Sequence, residues 1–121
     1  MKIAIPVDEN NAKTGVCISF GRAPFFLVYD SETKDTAFIE NTAAQAPGGA
    51  GIKAAQMIVD SKAEVLLTPR CGENAADVIK AGGIKMFKTI DGSAMDNVHA
   101  YIDGKLSSLD DIHPGFHRRG N

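Results

Sequence analysis

The sequence lacks an excess of positive charge: thirteen Lys and Arg against fifteen Asp and Glu leave a formal net charge of −2. Such a weak field does not hold a polyanion along a broad surface, which argues against nucleic acid as a partner. There is no apolar run near the roughly 20 residues of a membrane span, and Asp8 interrupts the first apolar stretch. A soluble, unexported, cytoplasmic protein with no membrane partner is expected. Only two cysteines are present, Cys17 and Cys71. They allow at most one intramolecular disulfide, far below the density of a secreted disulfide scaffold, and neither sits in a Cys-x-x-Cys pair of the kind that structural zinc uses. Internal repeats, low-complexity tracts and dividing linkers are also missing. What remains, 121 residues of which 44% are apolar, reads as one globular domain that buries about two thirds of its unfolded surface.

The apolar pattern predicts the element order β-β-β-α-β-α-β-α. Residues 2–7 form a short, nearly continuous apolar strand of the type covered on both faces. Pro6 argues against a central position for it, because proline removes a ladder donor, so either its nitrogen faces away from a neighbour or the strand is ending there. Residues 25–30 and 36–41 flank a polar turn and predict an antiparallel hairpin. A helix over about 49–61 follows, with Ile52, Ala55 and Val59 on one face. Residues 63–68 are a buried strand type, and 72–81 a helix with Ala75, Ala76 and Ile79 inward, stopped by Gly82 and Gly83. A strand at 84–88 leads to a third helix beginning at Ser93, on which Met95, Val98 and Ile102 share a face. Right-handed crossovers in the second half make the first, fourth and fifth strands parallel, with helices layered over a mixed sheet. The domain is expected to span residues 1–104, with 105–121 a mobile C-terminal tail lacking usable periodicity.

Ligands of open α/β sheets bind beyond the carboxyl ends of parallel strands. Those ends lead here into residues 8–24, 69–72 and 91–93, a set that contains both cysteines. Each cysteine reads either as a soft ligand or as a small buried apolar residue. Arg70, Cys71 and Gly72 sit where a strand turns into a helix, so backbone N–H groups, the helix dipole and Arg70 favour a bound anion, or a thiolate at Cys71. Gly48 and Gly49, heading the first helix, can present bare backbone to an anion in the same way, or serve only as a flexible connection. They form neither a P-loop nor a dinucleotide fingerprint. His113 and His117 lie four apart and are candidate metal ligands, although Pro114 and Gly115 between them oppose a shared helical face. His99 falls near the inward face of its helix and reads as a partly packed structural residue.

The block Ser19-Phe20-Gly21-Arg22-Ala23-Pro24-Phe25-Phe26 resembles the dinitrogenase iron-molybdenum cofactor biosynthesis family, which includes small nitrogenase cofactor carriers and stand-alone relatives. The opening strand, the Gly72-Glu73-Asn74-Ala75 helix start and the turn from Ala81 to Met86 are similar to that family as well. The resemblance implies a ribonuclease-H-like three-layer α/β fold with a mixed five-stranded sheet. It also implies non-catalytic binding or carriage of a metal–sulfur cluster, of the iron-molybdenum cofactor precursor or molybdenum-copper sulfide type, in metallocluster assembly with a cluster-donor or acceptor protein. Carried over by residue, it points to Gly21, Arg22 and the Gly72 helix start. Many members have a histidine immediately before the Phe-Gly pair, where this chain has Ser19. Cys17 and Cys71 then stand as candidate ligands on chemical grounds.

Three other functions compete. A small-anion or partner-binding module without metal needs only the glycines and arginines. A metal-dependent nuclease needs clustered carboxylates, and the sequence offers Asp8 with Asp91 as an unsupported second. A thiol redox switch needs Cys17 and Cys71 with Cα atoms within about 7 Å of each other.

Overall fold

The computed structural model describes residues 1–109 of the chain. Five strands form one sheet in the order β3-β2-β1-β4-β5, with β1 Lys2–Val7, β2 Phe25–Asp30, β3 Thr36–Glu40, β4 Val65–Thr68 and β5 Lys85–Lys88. Three helices complete it, α1 Ala50–Asp60, α2 Glu73–Ala81 and α3 Ala94–Ile102, with a short 3₁₀ turn at Thr42–Gln45. β1 pairs antiparallel with β2 and parallel with β4, and β4 pairs parallel with β5. The fold is therefore a mixed five-stranded α/β sheet, as the pattern of apolar runs predicts.

Alternation along the strands divides the core between the two sheet faces. Ala4, Phe26, Val28, Leu66 and Met86 face α1 and α2, where they meet Ala54, Ala55, Ile58, Ala75, Ala76 and Ile79. Ile3, Ile5, Val7, Leu27, Val65 and Leu67 face the other way, toward Ala94 and Val98 of α3. Each fully buried aliphatic chain here contributes about 1.5–3 kcal/mol. The alanines of α1 and α2 let the two helices lie close together, and that closeness brings their starts side by side.

β1 is central, which corrects the argument from Pro6 against that position, while its pairing on one side does end at the proline. Its registered pairing with β4 covers Ile3 and Ala4 alone, and it stops where the proline has no N–H to offer. Beyond that point the returning chain takes the place of β4: Val16 bridges Val7, and the Cys17 N–H donates to the Pro6 carbonyl at 2.9 Å.

Two helix faces also differ from expectation. In α1 the buried side chains are Ala50, Ala54, Ala55 and Ile58, while Ile52 stands 44% exposed. In α3 they are Ala94, Asn97, Val98 and Ala100, leaving Ile102 and His99 exposed. Asn97 belongs inside because its amide donates to the Ile90 and Ser93 carbonyls at 3.1 and 3.0 Å and accepts from the Ile90 N–H at 2.8 Å. A fully hydrogen-bonded amide of this kind is tolerated in a core.

After α3 the chain returns along β5. The Lys88 N–H donates to the Ser107 carbonyl, the Leu109 N–H donates to the Met86 carbonyl, and the Leu109 side chain is buried. The first residues of the expected tail are thus packed on the sheet edge, and 110–121 lie outside the described residues.

Candidate functional site

The long connection between β1 and β2 divides into two parts with different destinations. Its first part folds back on β1 and is tied to the start of α3: the Ala94 N–H donates to the Thr14 carbonyl at 3.0 Å, and Gly15 bridges Ser93. Thr14 is fully buried there, its hydroxyl accepting the Glu9 N–H at 2.9 Å. The second part crosses to the α1 side. It forms, with the starts of α1 and α2, a cleft of about 730 Å³ lined by residues 18–22, 49–52 and 70–75. Residues 91–93 do not line it. The expected convergence of all three strand ends is corrected accordingly, because the loop after β5 turns to the α3 face.

Glycines set the shape of the cleft. A Cβ placed on Gly21 would lie 2.9 Å from the Gly51 Cα and 3.0 Å from its nitrogen. Only glycine lets the loop approach the helix start so closely. A Cβ on Gly51 would sit 3.5 Å from that of Ala75, so the first turns of α1 and α2 are themselves in contact. Gly49, in the left-handed region at φ 70°, is the N-cap of α1, and Gly72 is the N-cap of α2; neither helix start has a side-chain cap. α3 instead carries a full capping box between Ser93 and Asp96. The free N–H groups and positive dipole ends of α1 and α2 therefore open side by side into one cleft.

Charged and apolar groups complete the lining. Arg22 and Arg70 are exposed at the cleft, opposed by the single carboxylate of Glu73 in the first turn of α2. Arg22 donates through Nη1 to the carbonyls of Ala44 at 2.8 Å and Ala46 at 3.2 Å. Ile18, 66% exposed, and Ile52 stand among the lining residues, while Phe20 is buried against Phe26 with ring centroids 5.4 Å apart. The arrangement suits a compact anion with a poorly hydrated surface: backbone donors and guanidinium groups meet its charge, and the isoleucines cover its apolar exterior.

Of the residues singled out in the sequence, Gly21, Arg22, Gly49, Arg70, Cys71 and Gly72 come together at the cleft. Gly48 is exposed beside it without lining it. Cys17 does not line it either; its half-buried thiol lies 3.6 Å from the Ser19 carbonyl oxygen. Burial, and then the Asp8 carboxylate, push its pKa up, partly offset by the Ser19 backbone. Cys71 takes the buried one of its two readings. It is 1% exposed, and burial pushes its pKa up to about 11, which Lys80 only partly counters. Desolvation of a buried sulfur opposes the thiolate that the helix start and Arg70 would favour. His113 and His117 lie outside the described residues. Among the described residues, no group of three or more His, Cys, Asp or Glu is placed to hold a metal ion. No helix among them is long and apolar enough to cross a membrane.

Several lining residues carry no strong sequence signal. Gly51 carries a weak one, since glycine is a poor helix former and its place at the start of α1 marks a close approach. Ile18 and Ile52 are isolated apolar residues, indistinguishable in sequence from core.

The chain is 31% identical to the orange protein of Desulfovibrio gigas, whose apo form has been solved; the match covers 90% of this chain and 92% of that one, with a TM-score of 0.86. A NifB-like protein from Thermotoga is 32% identical, with 98% of each chain covered and a TM-score of 0.80. An uncharacterised protein of Methanocaldococcus jannaschii is 29% identical over 113 residues, 91% of this chain and 92% of its own length. Residues 1–104 match the family described as dinitrogenase iron-molybdenum cofactor, spanning every strand and helix that shapes the cleft, and the chain belongs to that family.

Proposed function

We propose that this protein binds and carries an anionic metal–sulfur cluster in the cleft between the starts of α1 and α2, as cargo and without catalysing a reaction. The cluster is of the iron-molybdenum cofactor precursor or molybdenum-copper sulfide type. A cluster-donor or acceptor protein is its partner in a reducing compartment such as the cytoplasm. One observation carries the reading: two helix N-termini without side-chain caps open beside Arg22 and Arg70 into one partly apolar cleft. Family membership and the likeness to the orange protein and the NifB-like protein support it. The strand order β3-β2-β1-β4-β5 supports the ribonuclease-H-like assignment of the fold.

The chain's residues suit outer contact with such a cargo better than direct ligation. Burial pushes the Cys71 pKa up to about 11, and Cys17 packs beside the cleft without lining it, its thiol against the Ser19 carbonyl. The helix ends contribute up to about 2 kcal/mol each and charge-assisted hydrogen bonds about 1.5–3 kcal/mol each. A few acting together reach the roughly 8 kcal/mol of a micromolar complex. The neighbouring reading of a nuclease finds no support, because the carboxylate cluster it requires is not assembled among the described residues.

The test is an anaerobic titration with tetrathiomolybdate, with and without copper, followed by visible absorption, and by competition with phosphate and sulfate. Saturable binding that phosphate fails to displace supports a sulfide cluster. Equal competition by phosphate supports a general anion module instead, and absence of binding refutes both.

A further inference from the structure

Asn41 is 4% exposed, precedes the 3₁₀ turn, and is not among the residues lining the cleft. Its side-chain oxygen accepts the Ala43 N–H at 3.0 Å, which caps that turn. Its amide nitrogen has a separate task, donating to the carbonyls of Gly21 at 3.1 Å and Ala23 at 2.8 Å. These two carbonyls flank Arg22. Arg22 reaches back in turn, its Nη1 meeting the carbonyls of Ala44 and Ala46 just past Asn41. The two side chains thus cross between the same two segments in opposite directions, and a backbone bond from the Asn41 N–H to the Pro24 carbonyl at 2.9 Å closes the frame.

The geometry points to Asn41 as the positioning residue of the cleft, holding the Gly21–Ala23 turn so that the Arg22 guanidinium is oriented toward the cargo before it binds. With Nη1 committed to the two carbonyls, Nε and Nη2 of Arg22 have no partner among the described residues and remain as donors for an anion. The same clamp seats Gly21 against Gly51, so it also sets the separation of Arg22 from the start of α1. Preorganising a long cation in this way removes the ordering penalty from binding. An oxygen-only cap would serve the 3₁₀ turn equally well, but only the amide supplies both the acceptor and the donors that this frame uses.

This inference rests on the cluster-carrier reading for its consequence but not for its geometry, so it is tested in two arms. Asn41→Ser keeps an oxygen for the cap and removes the amide donors; Asn41→Asp is the second variant should the first fail to fold. In the first arm, the ligand-free protein is studied by ¹⁵N NMR. The Arg22 Nε–Hε group is expected to show a near-rigid heteronuclear NOE in the wild type and a clearly reduced one in the variant. In the second arm, Kd for tetrathiomolybdate is measured in four proteins: wild type, Asn41→Ser, Arg22→Gln and the double variant. Asn41→Ser is expected to weaken binding about fivefold, the size of re-immobilising one long side chain. In the Arg22→Gln background it should have almost no further effect, although its loss of thermal stability persists. Equal weakening in both backgrounds, or unchanged Arg22 motion, overturns the assignment. If the wild type binds no tetrathiomolybdate, the cargo reading fails while the NMR arm still decides the role of Asn41.

Discussion

Gly21→Ala is the sharpest perturbation of the cleft, because the atom it adds has nowhere to go. The new Cβ would stand 2.9 Å from the Gly51 Cα, 3.0 Å from the Gly51 nitrogen and 3.4 Å from the Ala50 carbonyl carbon. All three are backbone atoms of the first turn of α1, so no side-chain rotation relieves the contact. Ordinary contact requires a separation of roughly half an ångström more, which the loop and helix start must supply by moving apart. Overpacking of this kind costs about 1–3 kcal/mol, and for a domain of this size that lowers Tm by roughly 4 °C per kcal/mol. The same displacement carries Arg22 away from the helix N-termini and weakens cargo binding. Gly48→Ala is the control. A Cβ there meets nothing within 4 Å, so it is expected to leave Tm unchanged or raise it slightly by restricting the unfolded chain. Differential scanning calorimetry and an anaerobic tetrathiomolybdate titration on both variants check the argument. A Gly21→Ala protein with wild-type Tm and wild-type affinity refutes the account of how the cleft is built.

Arg22→Gln and Arg70→Gln are each expected to weaken tetrathiomolybdate binding and to flatten the dependence of log Kd on log salt, measured by titration at several ionic strengths. The Cys71 thiol is expected to resist iodoacetamide at pH 8 in the folded protein and to react once it is unfolded, as mass spectrometry will show. Its pKa, about 11 folded against 9.0 unfolded, adds stability that is fully present below pH 9 and is lost as pH rises toward 11. That loss is about 2–3 kcal/mol and should be absent from urea titrations of Cys71→Ala. Ser93→Ala removes the capping box of α3; a loss of about 1 kcal/mol in urea unfolding with no change in tetrathiomolybdate affinity is expected, because that helix start faces away from the cleft.

Much of the architecture is legible because the relevant residues announce themselves locally. β1 and β4 are continuous apolar runs, and Ala75, Ala76 and Ile79 of α2 repeat at helical spacing; all are buried as expected. The inward face of α1 is harder to read, since it consists mainly of alanines while the larger Ile52 turns toward the cleft. In α3 a polar residue, Asn97, occupies a core position, and only its partners at Ile90 and Ser93 explain why. The site divides along the same line. Gly72 and Arg70 follow from a strand running into a helix, and the Phe-Gly-Arg-Ala-Pro block marks Gly21 and Arg22. That residues 14–16 fold toward α3 depends on bridges to Val7 and Ser93, contacts between distant segments that no local pattern encodes. Cys71 is the plainest case. The field favouring a thiolate can be read from Arg70 and the helix start, and burial from the habit of free cysteines, but which of the two prevails depends on how α2 packs on the sheet.

The central claim is that the cargo is held by helix ends and arginines and not by thiolate ligands. Its most direct test is anaerobic reconstitution with iron, sulfide and tetrathiomolybdate, with and without copper, followed by desalting and metal analysis. Three proteins are compared: wild type, Cys17→Ser/Cys71→Ser and Arg22→Gln/Arg70→Gln. The account predicts stoichiometric metal in the wild type and the cysteine variant, and its loss from the arginine variant. Metal lost from the cysteine variant and kept by the arginine variant contradicts it.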